Sequence, residues 1–185
     1  MSGLESLYQE LILDHSKHPH GTPLAPEEGA SASSYQRNPV CGDELTLRVR
    51  LDDAGAIRDA TWEGAGCSIS QSSASMLSDL VAGMPRAEAS ALVDGFREAM
   101  RSRGQVELDI EEYGDAAALS GVSKYTARVK CAMLAWVALE DALARASWSW
   151  LDRSFERAWS LGRARMRHPI LRNAHTLPGR TLSPR

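Results

Sequence analysis

The chain has 185 residues, 43% of them hydrophobic, and a formal net charge of −3. That suffices for one domain with its own core and an appendage, and no apolar run is long enough to cross a bilayer. Three cysteines behind a Met-Ser-Gly-Leu-Glu start, which lacks a basic region followed by an apolar one, argue against a disulfide framework and for metal or thiol chemistry in a cytoplasmic setting.

The charge is unevenly spread. Residues 1–145 carry 13 Lys/Arg against 22 Asp/Glu, a balance of −9, whereas residues 146–185 carry 8 Arg against 2 acids, a balance of +6. An acidic body is a poor nucleic-acid binder; only the tail has the charge for it.

Ser2-Gly3-Leu4-Glu5 has the form of a capping box. Leu4, Leu7, Tyr8, Leu11 and Ile12 follow at helical spacing, which predicts a first helix to about Asp14. His15, His18 and His20 come next, around Pro19 and Gly21. Their irregular spacing reads as a solvated loop ahead of a metal site. Residues 21–34, with Pro23, Pro26 and Gly29, read as an extended connection.

Asn38-Pro39-Val40-Cys41-Gly42-Asp43 sets a thiol and a carboxylate one glycine apart, just after a proline. Pro39 restricts the approach and Gly42 accepts a positive φ, so Cys41 and Asp43 can face one point. Beyond that turn Leu45, Leu47, Val49 and Leu51 alternate with Thr46, Arg48 and Arg50, predicting a half-buried strand. Asp52-Asp53-Ala54-Gly55 is a turn and residues 56–63 a second strand; a shorter strand before Asn38 would complete a small antiparallel sheet.

Cys67, after Gly64-Ala65-Gly66, opens a helix to about Ala82, closed by Gly83 and Pro85. A thiol in a first helical turn feels unpaired N–H groups and the positive end of the dipole, both of which favour the thiolate. Serines at 68, 70, 72, 73 and 75 leave room there for close packing by a helix or a partner. Residues 85–103 form an amphipathic helix through Ala89, Leu92, Val93, Phe96 and Met100. An acidic stretch and the loop Leu119-Ser120-Gly121-Val122 lead to a last helix. It starts between Ser123 and Thr126, runs to about Ala144, and turns Cys131 inward. The tail, with Trp148, Trp150, Trp159 and its arginines, lacks the packing pattern of the body; Arg153, Phe155 and Arg157 allow a short basic helix. Three sulfurs and a carboxylate, from Cys41, Cys67, Cys131 and Asp43, make a tetrahedral zinc set of mixed hardness.

Four stretches in this order resemble the IscU/NifU-N superfamily of iron–sulfur assembly proteins, and within it the SufU branch. They are Leu7-Tyr8-Gln9-Glu10-Leu11-Ile12-Leu13-Asp14-His15, the Cys41 motif, Gly64-Ala65-Gly66-Cys67-Ser68-Ile69-Ser70, and Arg128-Val129-Lys130-Cys131-Ala132-Met133-Leu134-Ala135-Trp136. The resemblance spans residues 4–144 and leaves the tail without a counterpart. Lys130, where IscU-type scaffolds carry histidine, and the extra helix at 85–103 select the SufU branch.

The resemblance implies an α+β fold, a three-stranded antiparallel sheet packed against several helices, over residues 1–145, with 146–185 as a basic extension. It implies that Cys41, Asp43, Cys67 and Cys131 converge on one Zn2+. It also implies a sulfurtransferase that takes persulfide sulfur from a PLP-dependent cysteine desulfurase of the SufS type and passes it to downstream Suf assembly proteins. Zinc keeps cysteine as thiolate but lowers its reactivity, so one ligand must leave the metal to accept sulfur. Cys41, on a turn, is the expected acceptor, with Arg128 steadying the anionic sulfur; Lys130 reads equally as docking charge or site residue. The rival readings are a scaffold building a transient [2Fe–2S] cluster on the same four ligands, a purely structural zinc, and, least supported, nucleic-acid binding through the tail.

Overall fold

The computed structural model describes residues 3–165, with side chains described over 3–146. The elements follow the order α1 (Gly3–Lys17), β1 (Ala30–Arg37), β2 (Glu44–Leu51), β3 (Ile57–Ala65), α2 (Ser68–Val81), α3 (Arg86–Arg101), the single turn α4 (Ile110–Tyr113), a 3-10 segment (Gly114–Lys124) and α5 (Thr126–Arg165). The chain divides into two units, Met1–Leu151 and Asp152–Arg185. The expected cap Ser2 lies outside the described residues.

The three strands form an antiparallel meander in the order β1-β2-β3. The alternation read in β2 is the burial pattern found: Leu45, Leu47, Val49 and Leu51 are all buried, with Leu47 and Val49 fully so. Asp52 builds the β2–β3 turn by accepting from the N–H groups of Ala54 and Ala56, both at 2.9 Å, while Gly55 takes a φ of 83°. The buried face packs against α2, α3 and α5. There Phe96 of α3 stacks on Trp136 of α5 with ring centroids 3.8 Å apart and planes 5° from parallel.

Register decides what the sheet positions. Arg37 is opposite Glu44 and Glu44 is opposite Ala65, so the β1–β2 loop and the end of β3 lie at one edge of the sheet. The Cys41 turn and the start of α2 are therefore neighbours by strand pairing alone.

Four elements differ from the sequence reading. Strand β1 begins at Ala30, inside the stretch read as a connection. Its Ala-Ser-Ala-Ser-Ser run has little strand propensity and is held by tertiary bonds: Ser34 Oγ donates to Asp141 Oδ2 at 2.7 Å, and Arg48 Nε donates to Ser33 Oγ at 2.7 Å. Helix α1 runs to Lys17, so His15 is on a helix and buried instead of solvated. The acidic stretch and following loop are helical, as α4 and the 3-10 segment, because Asp109 caps α4 through the Glu111 N–H at 2.9 Å and Ala116, Ala117, Ala118 and Leu119 are buried. Helix α5 passes Ala144 and continues to Arg165, since no glycine or proline interrupts it before Gly162.

Candidate metal centre

The β1–β2 loop is built by Asn38. Its N–H donates to the Asp43 carbonyl at 2.8 Å, its own carbonyl accepts from Gly42 N–H at 2.8 Å, and its side-chain oxygen accepts from Val40 N–H at 3.1 Å. Gly42 supplies the positive φ of 81° that closes the turn. The result exposes Cys41 and buries Asp43, two residues apart.

Cys131, buried near the start of α5, comes to the loop from the other side. Its Sγ lies 3.7 Å from Cys41 Sγ and 3.9 Å from Asn38 Nδ2. One ligand atom each from Cys41, Asp43 and Cys131 fall within 4.8 Å of one another. Cys67, the N-cap of α2 and exposed, closes the group from the sheet edge. Its N–H donates to Asp43 Oδ1 at 3.3 Å, and its sulfur lies 3.8 Å from Ser70 Oγ. Three of the four residues expected at the centre thus meet within 4.8 Å, and Cys67 adjoins them through its N–H bond to Asp43.

Two observations bear on whether these residues suit a metal. First, a carboxylate oxygen of Asp43, Oδ2, is buried with no hydrogen-bond partner among the described residues. An orphaned anionic oxygen amid three sulfurs is costly unless a cation faces it. Second, tetrahedral zinc with bonds near 2.3 Å puts two sulfurs about 3.8 Å apart, and the Cys41–Cys131 separation is 3.7 Å. The donor set fits.

Electrostatics point the same way. Burial works against the charged form of Asp43, but the neighbouring Cys67, Cys131, Ser70 and Cys41 side chains outweigh it and hold the carboxyl below its usual range. Burial, reinforced by Cys41, Asp43 and Cys67, pushes the Cys131 thiol well above its ordinary value. Three thiols and a carboxylate in one pocket cannot all ionise unaided; a dication makes that state affordable.

Ser70 Oγ donates to the Cys67 carbonyl at 2.9 Å and approaches Cys67 Sγ at 3.8 Å, while Gln71 Nε2 donates to the Gly66 carbonyl at 2.7 Å. The serine-rich face of α2 does pack closely: Ser73 Oγ donates to the Ala132 carbonyl of α5 at 2.7 Å and accepts from Trp136 Nε1 at 3.1 Å. Asn38 and Gln71 carry no role in the sequence reading and Ser70 only a packing one, although all lie within or beside its motifs; Asn followed by Pro is the one local signal of a side-chain-built turn. Arg128 is exposed on the first turn of α5 with its guanidinium over the Tyr125 ring, 5.4 Å from the centroid. It lines a groove with Ile69, Tyr8, Ile12, Val122 and Lys124, and none of the three cysteines lines that groove. Lys130 is exposed beside Asn38 and Pro39.

The NifU-like N terminal domain family matches residues 7–144. A Streptococcus pyogenes protein, "Iron-sulfur cluster assembly scaffold protein IscU", is 40% identical over 147 residues, covering 80% of this chain and 89% of the relative. A Bacillus subtilis protein, "Zinc-dependent sulfurtransferase SufU", is 38% identical over 144 residues, covering 78% of this chain and 94% of the relative. Among solved structures, the SUF-system protein FiSufU from Fervidobacterium islandicum superposes with a TM-score of 0.58. It is 32% identical, over 76% of this chain and 99% of that one.

Proposed function

This chain belongs to the NifU-like N terminal domain family of iron–sulfur cluster assembly proteins, and from that premise we propose that it is a zinc-dependent sulfurtransferase with Cys41 as the sulfur acceptor. Residues 1–145 form the working domain in this reading and 146–185 an extension to it. Zinc is held by Cys41, Asp43, Cys67 and Cys131, and supplies the positive charge that keeps the three sulfurs deprotonated at neutral pH.

The observation that carries the proposal is the contrast between Cys41 and Cys131. One sulfur stands exposed on a loop six residues long between paired strands, and its neighbour at 3.7 Å is buried on a helix. A partner can reach the first without disturbing the second. In the transfer, the Cys41 thiolate attacks the terminal sulfur of a persulfide on a PLP-dependent cysteine desulfurase. A new S–S bond forms at Cys41, the donor's S–S bond breaks, and the donor cysteine departs as a thiolate. Asn38 and Gly42 hold the loop in the presenting geometry. Arg128, on the rim of the adjoining groove, offers a cation near the persulfide anion. The reaction belongs in the cytoplasm; among the described residues no helix is long and apolar enough to cross a membrane.

The experiment is a desulfurase assay with zinc-loaded protein, following alanine release from cysteine with a SufS-type enzyme. Zinc-loaded protein is expected to accelerate turnover, and Cys41→Ala to abolish the acceleration while retaining the fold. Acceleration that survives Cys41→Ala and disappears with Cys67→Ala would move the acceptor to the second exposed thiol.

The likeness to the Streptococcus scaffold supports a second reading, assembly of a [2Fe–2S] cluster on the same residues, to which thiolates are equally suited. Anaerobic reconstitution with iron and sulfide separates the two. A stable cluster chromophore on this chain, with no effect on desulfurase turnover, favours the scaffold.

A further inference from the structure

His15 and His20 are brought together at the far end of α2, away from the cysteines. Asp79 lies twelve residues beyond Cys67 in the chain, about 18 Å along the helix axis. One ring nitrogen of each histidine and one carboxylate oxygen of Asp79 lie within 4.8 Å of one another. His20 Nδ1 is hydrogen-bonded to Asp79 Oδ2, and His15 Nε2 lies 3.1 Å from Asp115 Oδ2. The two rings meet edge to face with centroids 5.1 Å apart. His18, between them in sequence, turns away to pair with Asp14.

We propose that His15, His20 and Asp79, with Asp115 at the edge, form a second metal site, for a divalent transition ion of the zinc, cobalt or iron(II) type. Two imidazoles and carboxylate oxygen suit that class better than magnesium or calcium, which take oxygen-only shells.

The backbone around the site is fixed in advance. The His20 N–H donates to Ser75 Oγ at 2.8 Å, its carbonyl accepts from Trp62 Nε1 at 2.9 Å, and the next carbonyl, of Gly21, accepts from Trp62 N–H at 2.8 Å. Ser75 Oγ also lies 2.7 Å from His15 Nδ1, leaving the other ring nitrogen of His15 turned toward the carboxylates. Such a buried partner on the far nitrogen is what orients a metal-binding imidazole. His15 is buried, whereas the side chains of His20, Asp79 and Asp115 are between 53% and 57% exposed, so the floor is rigid and the mouth open to an ion from solvent. The arrangement joins α1, the following loop, α2 and the 3-10 segment.

The test is a titration of zinc-loaded full-length protein with Co2+, read by visible absorption and by Tm. One further equivalent is expected to give ligand-field bands without the sulfur-to-cobalt charge-transfer band, and to raise Tm. His20→Ala and Asp79→Ala, both at exposed side chains, are each expected to weaken this binding at least about tenfold, while His18→Ala leaves it intact. The proposal is overturned by the absence of both spectrum and Tm shift, by appearance of the sulfur-to-cobalt band alone, or by binding that persists unchanged in the His20→Ala/Asp79→Ala double variant.

Discussion

Nδ2 of Asn38 and Sγ of Cys131 lie 3.9 Å apart in the interior, joining the loop that carries one thiol to the helix that carries another. The same side chain accepts from Val40 N–H, so it shapes the loop and faces the sulfur at once. Asn38→Ala removes both effects and leaves all four ligand side chains in place. Zinc affinity is expected to fall about ten- to a hundredfold, the usual effect of losing a group that orients ligands. Competition with a chromogenic chelator measures this. Equal affinities in variant and parent would remove Asn38 from the positioning role.

Asp43→Ala acts on two opposed terms. It deletes the orphaned buried oxygen, which favours the metal-free protein, and deprives the Cys67 N–H of its acceptor, which disfavours it. With each effect on the order of 1 kcal/mol, the stability of the metal-free protein is expected to change little. The zinc-loaded form loses a ligand outright, so the gap in Tm between loaded and stripped protein should narrow sharply. A gap of unchanged width would mean that the carboxylate does not face the ion.

These two residues also mark how much could be read from the chain alone. The Cys41, Cys67 and Cys131 motifs each sit on an element with a strong local signal: a Pro/Gly turn, a helix start after a strand, an apolar helical stripe. The elements that carry them are therefore legible one by one, whereas their convergence on one ion is what the family resemblance implies. The Leu45–Leu51 alternation likewise fixed which face of β2 is buried. What local spacing does not carry depends on pairing across long separations. The Ala/Ser run of β1 becomes a strand only because β2 and Asp141 are there to bind it. His15 finds Ser75 sixty residues away and Asp115 a hundred residues away, which no local spacing announces. The sequence reads as ending α5 near Ala144 because its apolar stripe changes from alanines to tryptophans and phenylalanine after Ala146, although nothing there breaks a helix and α5 continues to Arg165.

Gly66 sits between β3 and α2 with no positive φ, so alanine is permitted by the backbone. The space is another matter. A Cβ there would run into Ser70 Oγ and come to 3.0 and 3.1 Å from Cγ and Cβ of Asp43. Gly66→Ala should therefore displace Asp43 or Ser70 and lower zinc affinity at least about tenfold, with far-ultraviolet circular dichroism unchanged. Gly121→Ala is the control, since a Cβ at that position meets nothing within 4 Å. Should both variants bind zinc like the parent, the approach of Gly66 to Asp43 has no bearing on the centre.

Tyr113 gives a pH dependence remote from the metal ligands. The residue is buried, its hydroxyl donates to the Leu92 carbonyl at 3.3 Å, and burial, with Glu112 and Glu98 adding to it, pushes its pKa up from 10.0 to about 12. The folded state thus prefers the protonated phenol. The stability it contributes is fully present below pH 10, the unfolded value, and is lost as pH rises through about 12. The loss amounts to about 3 kcal/mol at most, at roughly 1.36 kcal/mol per pKa unit. Urea denaturation between these limits should show the parent losing stability faster than Tyr113→Phe, which has no phenol to ionise and keeps the ring against Trp136. Parallel pH profiles for the two proteins would mean that Tyr113 ionises in the folded state as readily as in the unfolded one.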